Sequence, residues 1–351
     1  MNQNIAVVGA GICGLCTALA LAAKGDVVTL YERDIEPPEG GADQAFFEWK
    51  RRGAAQFRHP HAFLGVMCNM LEKNYPDLIE EFWEAGARKL SFSDMLPPEL
   101  LAQYEPDPSD DDMWMLMCRR ATMETVLRRY VEGTHNVTIN NTTNVVGMTT
   151  VEKSEGITVT GLKVQIDRGD IEQVSHDIIV DASGRGTKFP EWLNALGSEI
   201  ITEDDDADIV YYTRHYQLKP GEQEPSRHSK ERSAGDLGYM KYGVFPGDNG
   251  HFAVIICLPN HETELHEAIK KPDQFDDICN AIPGLKPWVN PSKSTPTTSS
   301  FGFGDIHAIW RHYVKDGIPA ALNFFAVGDS AVRTNPLYGR GCSTGTIHAH
   351  L

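Results

Sequence analysis

Three glycines at the spacing G-x-G-x-x-G stand near the start of the chain, at Gly9, Gly11 and Gly14, and the acid Glu32 follows the next apolar run. At that spacing Gly9 permits a tight turn, Gly11 lets the backbone approach a pyrophosphate, and Gly14 lets a helix pack closely on a strand. A carboxylate at position 32 suits ribose hydroxyls and disfavours a 2′-phosphate. This set predicts dinucleotide binding without separating a flavin from a nicotinamide. A second set stands at the far end: Ala326-Val327-Gly328-Asp329-Ser330-Ala331, then Asn335-Pro336-Leu337-Tyr338-Gly339-Arg340-Gly341. Asp329 can accept hydrogen bonds from the hydroxyls of a polyol chain. Gly339 and Gly341 expose backbone N–H groups where a new helix starts, a device for holding an electron-rich ring edge.

Two further groups have chemistry open to them. In Gln56-Phe57-Arg58-His59-Pro60-His61, either histidine could donate or accept a proton near neutral pH. The alternative is that both are loop residues bonding neighbouring backbone. A metal site is disfavoured there, because no carboxylate or cysteine lies at ligand spacing. Cys13 and Cys16 form a C-x-x-C with no second pair to complete a zinc site. All seven cysteines read as reduced and mostly buried small hydrophobes.

These residues need a frame. Ile5-Ala6-Val7-Val8 reads as a buried strand, Leu15 to Lys24 as a helix ended by Gly25, and Val27 to Tyr31 as a second strand. Phe63 to Ala85 predicts two helices broken near Pro76, and Pro97 to Asp112 a solvated acidic loop. A helix starts at Arg119-Arg120, with Met123 and Leu127 on one side. Period-two runs mark strands from Val137 to Ser183 and from Ile209 to Pro259, with a hairpin at Gly247-Asp248-Asn249-Gly250. Glu262 to Ala281 reads as helix interrupted at Pro272, Ser292 to Ser300 as a linker, and Asn323 to Val327 as the last strand.

The chain has 351 residues, enough for two domains, and a net charge of −17 that argues against nucleic acid or an anionic membrane as partner. No apolar run is long enough to span a bilayer, and the first strand begins too early for a signal peptide, so a cytoplasmic protein is expected.

The motifs GAGICG, CRRATMETVLRR, VDASGRGTKFPEWL and VGDSAVRTNPLYGRG together resemble the FAD-dependent monooxygenase superfamily, which includes aromatic hydroxylases, squalene epoxidase, geranylgeranyl reductases and flavin-dependent halogenases. The resemblance implies an α/β fold: a three-layer, Rossmann-like FAD-binding domain with a β-rich substrate domain. The expected division is an FAD-binding domain over 1–195, with an insert at about 36–117, a substrate domain over 196–304, and a return to the FAD-binding domain over 305–351. It implies that Gly9, Gly11 and Gly14 hold the FAD pyrophosphate, with Glu32 on the adenosine ribose and Arg33 beside it. Arg120 would reach the flavin phosphates or ribityl chain, and Val145 would give adenine a backbone contact. Gly328 and Asp329 would meet the ribityl and pyrophosphate region, while Pro336, Gly339 and Gly341 border the isoalloxazine. The loop carrying His59 and His61 falls where relatives approach the flavin, so these two are the candidate catalytic residues; no metal is implied. Asp181-Ala182-Ser183-Gly184 replaces the Asp-Gly pair that helps NADPH in aromatic hydroxylases, which leaves Asp181 functional or structural.

The activity implied is transfer of one oxygen from a flavin C4a-hydroperoxide to a small or lipophilic organic substrate. The co-reactants are O₂ and either NADPH, NADH or a separate reductase. The first rival is a flavin-dependent reductase of isoprenoid type. Halogenation is disfavoured, because the six tryptophans form no W-x-W-x-I-P motif. The last rival is a non-catalytic flavin-binding protein or an inactive fragment. Ser343 to Leu351 begins a helix with no stop signal, so a chain truncated at its C-terminus is expected.

Overall fold

The computed structural model describes residues 2–351, which divide into two compact units. Unit 1 comprises residues 2–57, 123–205 and 307–351, and unit 2 residues 58–122 and 206–306.

Unit 1 is built on a parallel sheet of five strands: β1 (Asn4–Val8), β2 (Val27–Tyr31), β3 (Val137–Asn140), β4 (Ile178–Asp181) and β5 (Phe324–Ala326), in the order β5-β4-β1-β2-β3. Near-continuous Val, Ile and Leu runs suit strands buried on both faces. Alternation divides the first strand cleanly. Ala6 and Val8 join Ile179, Phe324 and Phe189 in a core that also takes Val159, Leu162 and Val164. Those last three lie on an antiparallel sheet of residues 143–153, 156–166 and 171–175, which covers that face. Ile5 and Val7, buried as deeply, point the other way. Helix α1 (Ile12–Ala23) packs beside β2 and against the C-terminal helix. Three layers result: a helical layer, the parallel sheet and the antiparallel sheet, an α/β fold of Rossmann type. Two more helices are used below, α2 (Arg120–Glu132) and α3 (Gly341–His350).

Unit 2 centres on an antiparallel sheet in which the Ile209–Leu218 strand lies beside His251–Pro259, with Lys241–Pro246 and Ala234–Asp236 beyond. On its other edge the Ile209–Leu218 strand pairs with Ser294–Pro296 and Phe301–Phe303. Tyr212, Tyr216, Phe252, Val254 and Ile256 on one face form a core with Ile269, Phe275 and Cys279 from the helices Thr263–Ile269 and Pro272–Ala281. The Gly247–Gly250 hairpin forms, with Asn249 and Gly250 at positive φ. The helices Gly65–Asn74 and Pro76–Glu84 meet at Pro76.

Two local expectations change. Ser292–Ser300 is not simply a linker, because Ser294–Pro296 pairs with Tyr216–Leu218. The Pro97–Asp112 stretch carries short helical turns at Pro98–Leu101 and Pro108–Asp112, the second capped by Asp107.

Candidate cofactor site

The C-terminal ends of the parallel strands gather the chemistry-bearing residues of unit 1, where open α/β sheets bind ligands. The chain turns at Gly9, whose φ of 101° favours glycine, and an added Cβ there would meet the Ala182 carbonyl oxygen at 2.7 Å. At Gly14 an added Cβ would strike the Gly9 carbonyl oxygen. Gly11 differs: an added Cβ would find nothing within 4 Å. Gly9 and Gly14 are therefore small because the protein packs against them. Gly11 is small beside open space.

Glu32 follows β2 and is buried. Its Oε2 accepts from the Ala10 N–H at 2.9 Å and its Oε1 from the Asp34 N–H at 2.9 Å. Arg51 holds the same carboxylate at 3.2 Å, with Asp34 at 3.3 Å and Glu124 at 3.0 Å. The Arg51 guanidinium also lies 4.6 Å from the Trp49 ring centroid and donates to the Ala10 carbonyl. In the sequence Arg51 is only the middle of a basic run, Lys50-Arg51-Arg52. Its three acidic partners come from distant positions, and no local pattern announces such a pairing. Arg33 stays exposed and donates to the Arg52 carbonyl at 2.7 Å. Val145 is partly buried on the antiparallel sheet, opposite Val164.

Two loops are tied together at the ends of β4 and β5. The Asp181 carboxylate, wholly buried, accepts from the Ser183 N–H at 2.9 Å and from the hydroxyls of Ser183, Thr187 and Ser330. Burial raises its pKa and these donors oppose the rise. Ser330 Oγ also accepts from the Gly184 N–H at 2.8 Å. Asp181 thus joins the Gly184 turn to the Gly328–Ser330 turn. Gly328 has φ of 59° and an added Cβ would meet Cys13 Sγ at 2.8 Å; its N–H donates to His348 Nδ1 at 3.1 Å. Asp329 beside it is partly buried, and its carbonyl accepts from Arg311 at 3.1 Å.

Beyond it, Asn335 caps the turn Pro336–Tyr338, Gly339 adopts φ of 64°, and Gly341 opens α3. The hydroxyls of Thr334 and Ser343, both sealed from solvent, have no hydrogen-bond partner among the described residues. Thr334 Oγ1 is the nearest atom, at 4.0 Å, to an added Cβ on Gly341. A buried hydroxyl normally has a partner. Open space at Gly11, a spare lone pair on Glu32 Oε1 and two unsatisfied hydroxyls at the far loop fit a bound dinucleotide flavin.

Cys13 and Cys16 lie on α1 facing α3, with Cys13 Sγ 3.4 Å from the Gly345 carbonyl oxygen and Cys16 Sγ 4.0 Å from Thr346 Oγ1. Burial pushes both thiols up, Cys16 to about 12, which suits packing rather than redox exchange. None of the seven cysteines is in a disulfide. Among the described residues no group of three or more His, Cys, Asp or Glu could hold a metal ion.

Arg120, His59 and His61 belong to unit 2 and are brought together there. Arg120 opens α2, and its Nη1 lies 2.7 Å from His61 Nε2. His61 Nδ1 lies 2.8 Å from the His59 carbonyl oxygen, and His59 Nδ1 is 2.8 Å from Thr213 Oγ1. Burial pushes His59 down to about 4 and His61 well below the usual histidine range, the latter with help from the Arg120 charge.

A family model for FAD-dependent oxidoreductases matches residues 4–56. Protein Rv3254 of Mycobacterium tuberculosis is 28% identical over 376 residues, covering 100% of this chain and 72% of that protein. The flavin-dependent brominase Bmp2 superposes with a TM-score of 0.67 at 16% identity, over 100% of this chain and 77% of that one. PqsL of Pseudomonas aeruginosa, described as a probable FAD-dependent monooxygenase, gives 0.66 at 13% identity, over 99% and 84%. No helix among the described residues is long and apolar enough to cross a membrane. What these likenesses and the strand-end geometry establish together is the fold: the chain shares the fold of the flavin-dependent brominase Bmp2 and of PqsL.

Proposed function

We propose that the protein binds FAD and acts as a monooxygenase on a small or lipophilic organic substrate. The observation that carries the cofactor half is the open space at Gly11 beside a Glu32 carboxylate fixed by the Ala10 N–H and Arg51. Bound FAD would supply the redox chemistry, taking electrons from NADPH, NADH or a partner reductase and using O₂. The chain's own part is to bind and orient. Gly11 gives the pyrophosphate backbone N–H groups at the start of α1, where the helix end favours negative charge. Glu32 accepts from the adenosine ribose, with Arg33 beside it and Val145 offering backbone to adenine. Gly328 and Asp329 meet the polyol chain, Pro336, Gly339 and Gly341 border the ring, and Ser343 and Thr334 can donate to it. Arg120 is assigned to the cofactor phosphates by resemblance.

The monooxygenase half rests on resemblance to that superfamily and on the lack of a W-x-W-x-I-P motif among the six tryptophans, which disfavours halogenation. Purified protein should be yellow and release intact FAD on denaturation. With ¹⁸O₂ and a reduced nicotinamide, an accepted substrate should gain one labelled atom. Halide incorporation, or substrate reduction without label, would move the assignment to a halogenase or a reductase.

A further inference from the structure

We propose that His61 is a positioning residue that holds the Arg120 guanidinium through an unprotonated Nε2, and that it carries no proton in the reaction. The role of Arg120 toward FAD rests on the function proposed above. The state of His61 rests on geometry within unit 2.

A guanidinium has only donors, so at 2.7 Å from Arg120 Nη1 the His61 Nε2 must be the acceptor. A backbone carbonyl only accepts, so at 2.8 Å from the His59 oxygen the His61 Nδ1 must carry the proton. Both contacts demand the same neutral tautomer. Protonating the ring would set an N–H against the N–H of Arg120 and add a second positive charge beside the first. A proton carrier needs a free lone pair or a second stable charge state, and this ring has neither.

The neighbours hold the arrangement in place. The His61 ring stacks on Phe63, with centroids 6.2 Å apart and planes 14° apart. The His59 carbonyl it bonds is itself fixed, because the His59 ring is held by Thr213 Oγ1 and lies against Phe301 at 4.9 Å and Phe303 at 5.2 Å. A continuous line therefore runs from the Ile209–Leu218 strand through His59 and His61 to the first residue of α2. Burial and the charges of Arg120 and His59 oppose protonation of His61, and the bond to the His59 carbonyl favours it.

Selective ¹⁵N-histidine labelling of the FAD-loaded protein tests the state directly. One imidazole, assigned by its loss in His61→Gln, should show a protonated Nδ1 and a bare Nε2 that do not change from pH 8 to pH 5. An Nε2-protonated ring, or one that titrates near 6.5, would overturn the proposal. The positioning role is tested by three variants. His61→Gln keeps an acceptor near the Nε2 position, His61→Asn keeps only a donor near Nδ1, and His61→Ala keeps neither. FAD affinity should survive in His61→Gln and fall roughly tenfold in the other two, the loss expected of one hydrogen bond to a charged group. Equal affinities in all three would overturn the role. Wild-type protein that takes up no FAD would refute the cofactor assignment instead, and the ¹⁵N spectrum alone would then decide for or against His61.

Discussion

At the scale of single residues, the three glycines of the first motif separate folding from binding. Gly11→Val places its side chain in open space, so apo stability should change little. The same side chain would occupy the room of a pyrophosphate, and FAD binding should be lost. Gly14→Ala should do the reverse, because its Cβ overlaps the Gly9 carbonyl oxygen and forces α1 off β1. Thermal melts of apo protein and FAD titrations of both variants check this. Equal melting loss in the two, or FAD affinity intact in Gly11→Val, would remove Gly11 from the site. Asp329→Ala should weaken FAD binding by roughly 1.5–3 kcal/mol if its carboxylate meets the ribityl hydroxyls. Asp181 is a different case. Its four donors come from the protein itself, so its replacement should first loosen the Gly184 and Gly328 turns.

Among elements, the tip of the Gly247–Gly250 hairpin is fixed to the start of α2 by Asp248. Its carboxylate accepts from the Arg119 N–H at 2.8 Å, from Arg119 Nε at 3.2 Å and from the Thr122 hydroxyl at 2.8 Å. Burial works to raise its pKa, but the Arg119 bonds and charge outweigh that and hold it below the usual carboxylate range. Asp248→Asn would break this buried ion pair by removing its carboxylate charge, a loss of about 3–5 kcal/mol. The exposed Lys241–Asp236 pair of the same sheet is the control, and Asp236→Asn should leave the urea midpoint unchanged. Similar midpoints for the two variants would refute the argument. Elements with a strong local signal were legible in the sequence. Ile5–Val8 is an apolar run stopped by glycine, and Asn249-Gly250 suits a tight turn. Ser294–Pro296 was not legible, because a three-residue edge strand of Ser, Thr and Pro has no period and forms only by pairing with Tyr216–Leu218. Arg51 escaped for a related reason: its value lies in the carboxylates of Glu32, Asp34 and Glu124, which only the tertiary fold brings to it.

For the whole molecule, two electrostatic effects oppose each other as the pH falls. The net charge of −17 shrinks toward zero at the pI of about 5.2, which relieves self-repulsion and favours the compact state. Against this stand His59, His61 and His215, all neutral in the fold; burial pushes His59 to about 4 and His215 to about 3. An unfolded chain binds protons at these histidines near pH 6.5, whereas the folded chain does not bind them until well below that. The folded pKa is depressed, so the stabilisation they give is full above about 6.5 and is lost as the pH falls toward 4. Each histidine contributes a slope of about 1.4 kcal/mol per pH unit in that window, and His59 alone on the order of 3 kcal/mol across it. Repulsion among exposed charges is spread over the surface and screened by salt within about 8–10 Å. The buried histidines therefore win. Urea midpoints should fall steadily from pH 7 to pH 5 even though the net charge is vanishing, and added salt should not abolish the fall. His59→Gln should flatten the slope by about one histidine's share. A midpoint that holds or rises toward pH 5.2 would mean that these rings are protonated in the folded protein.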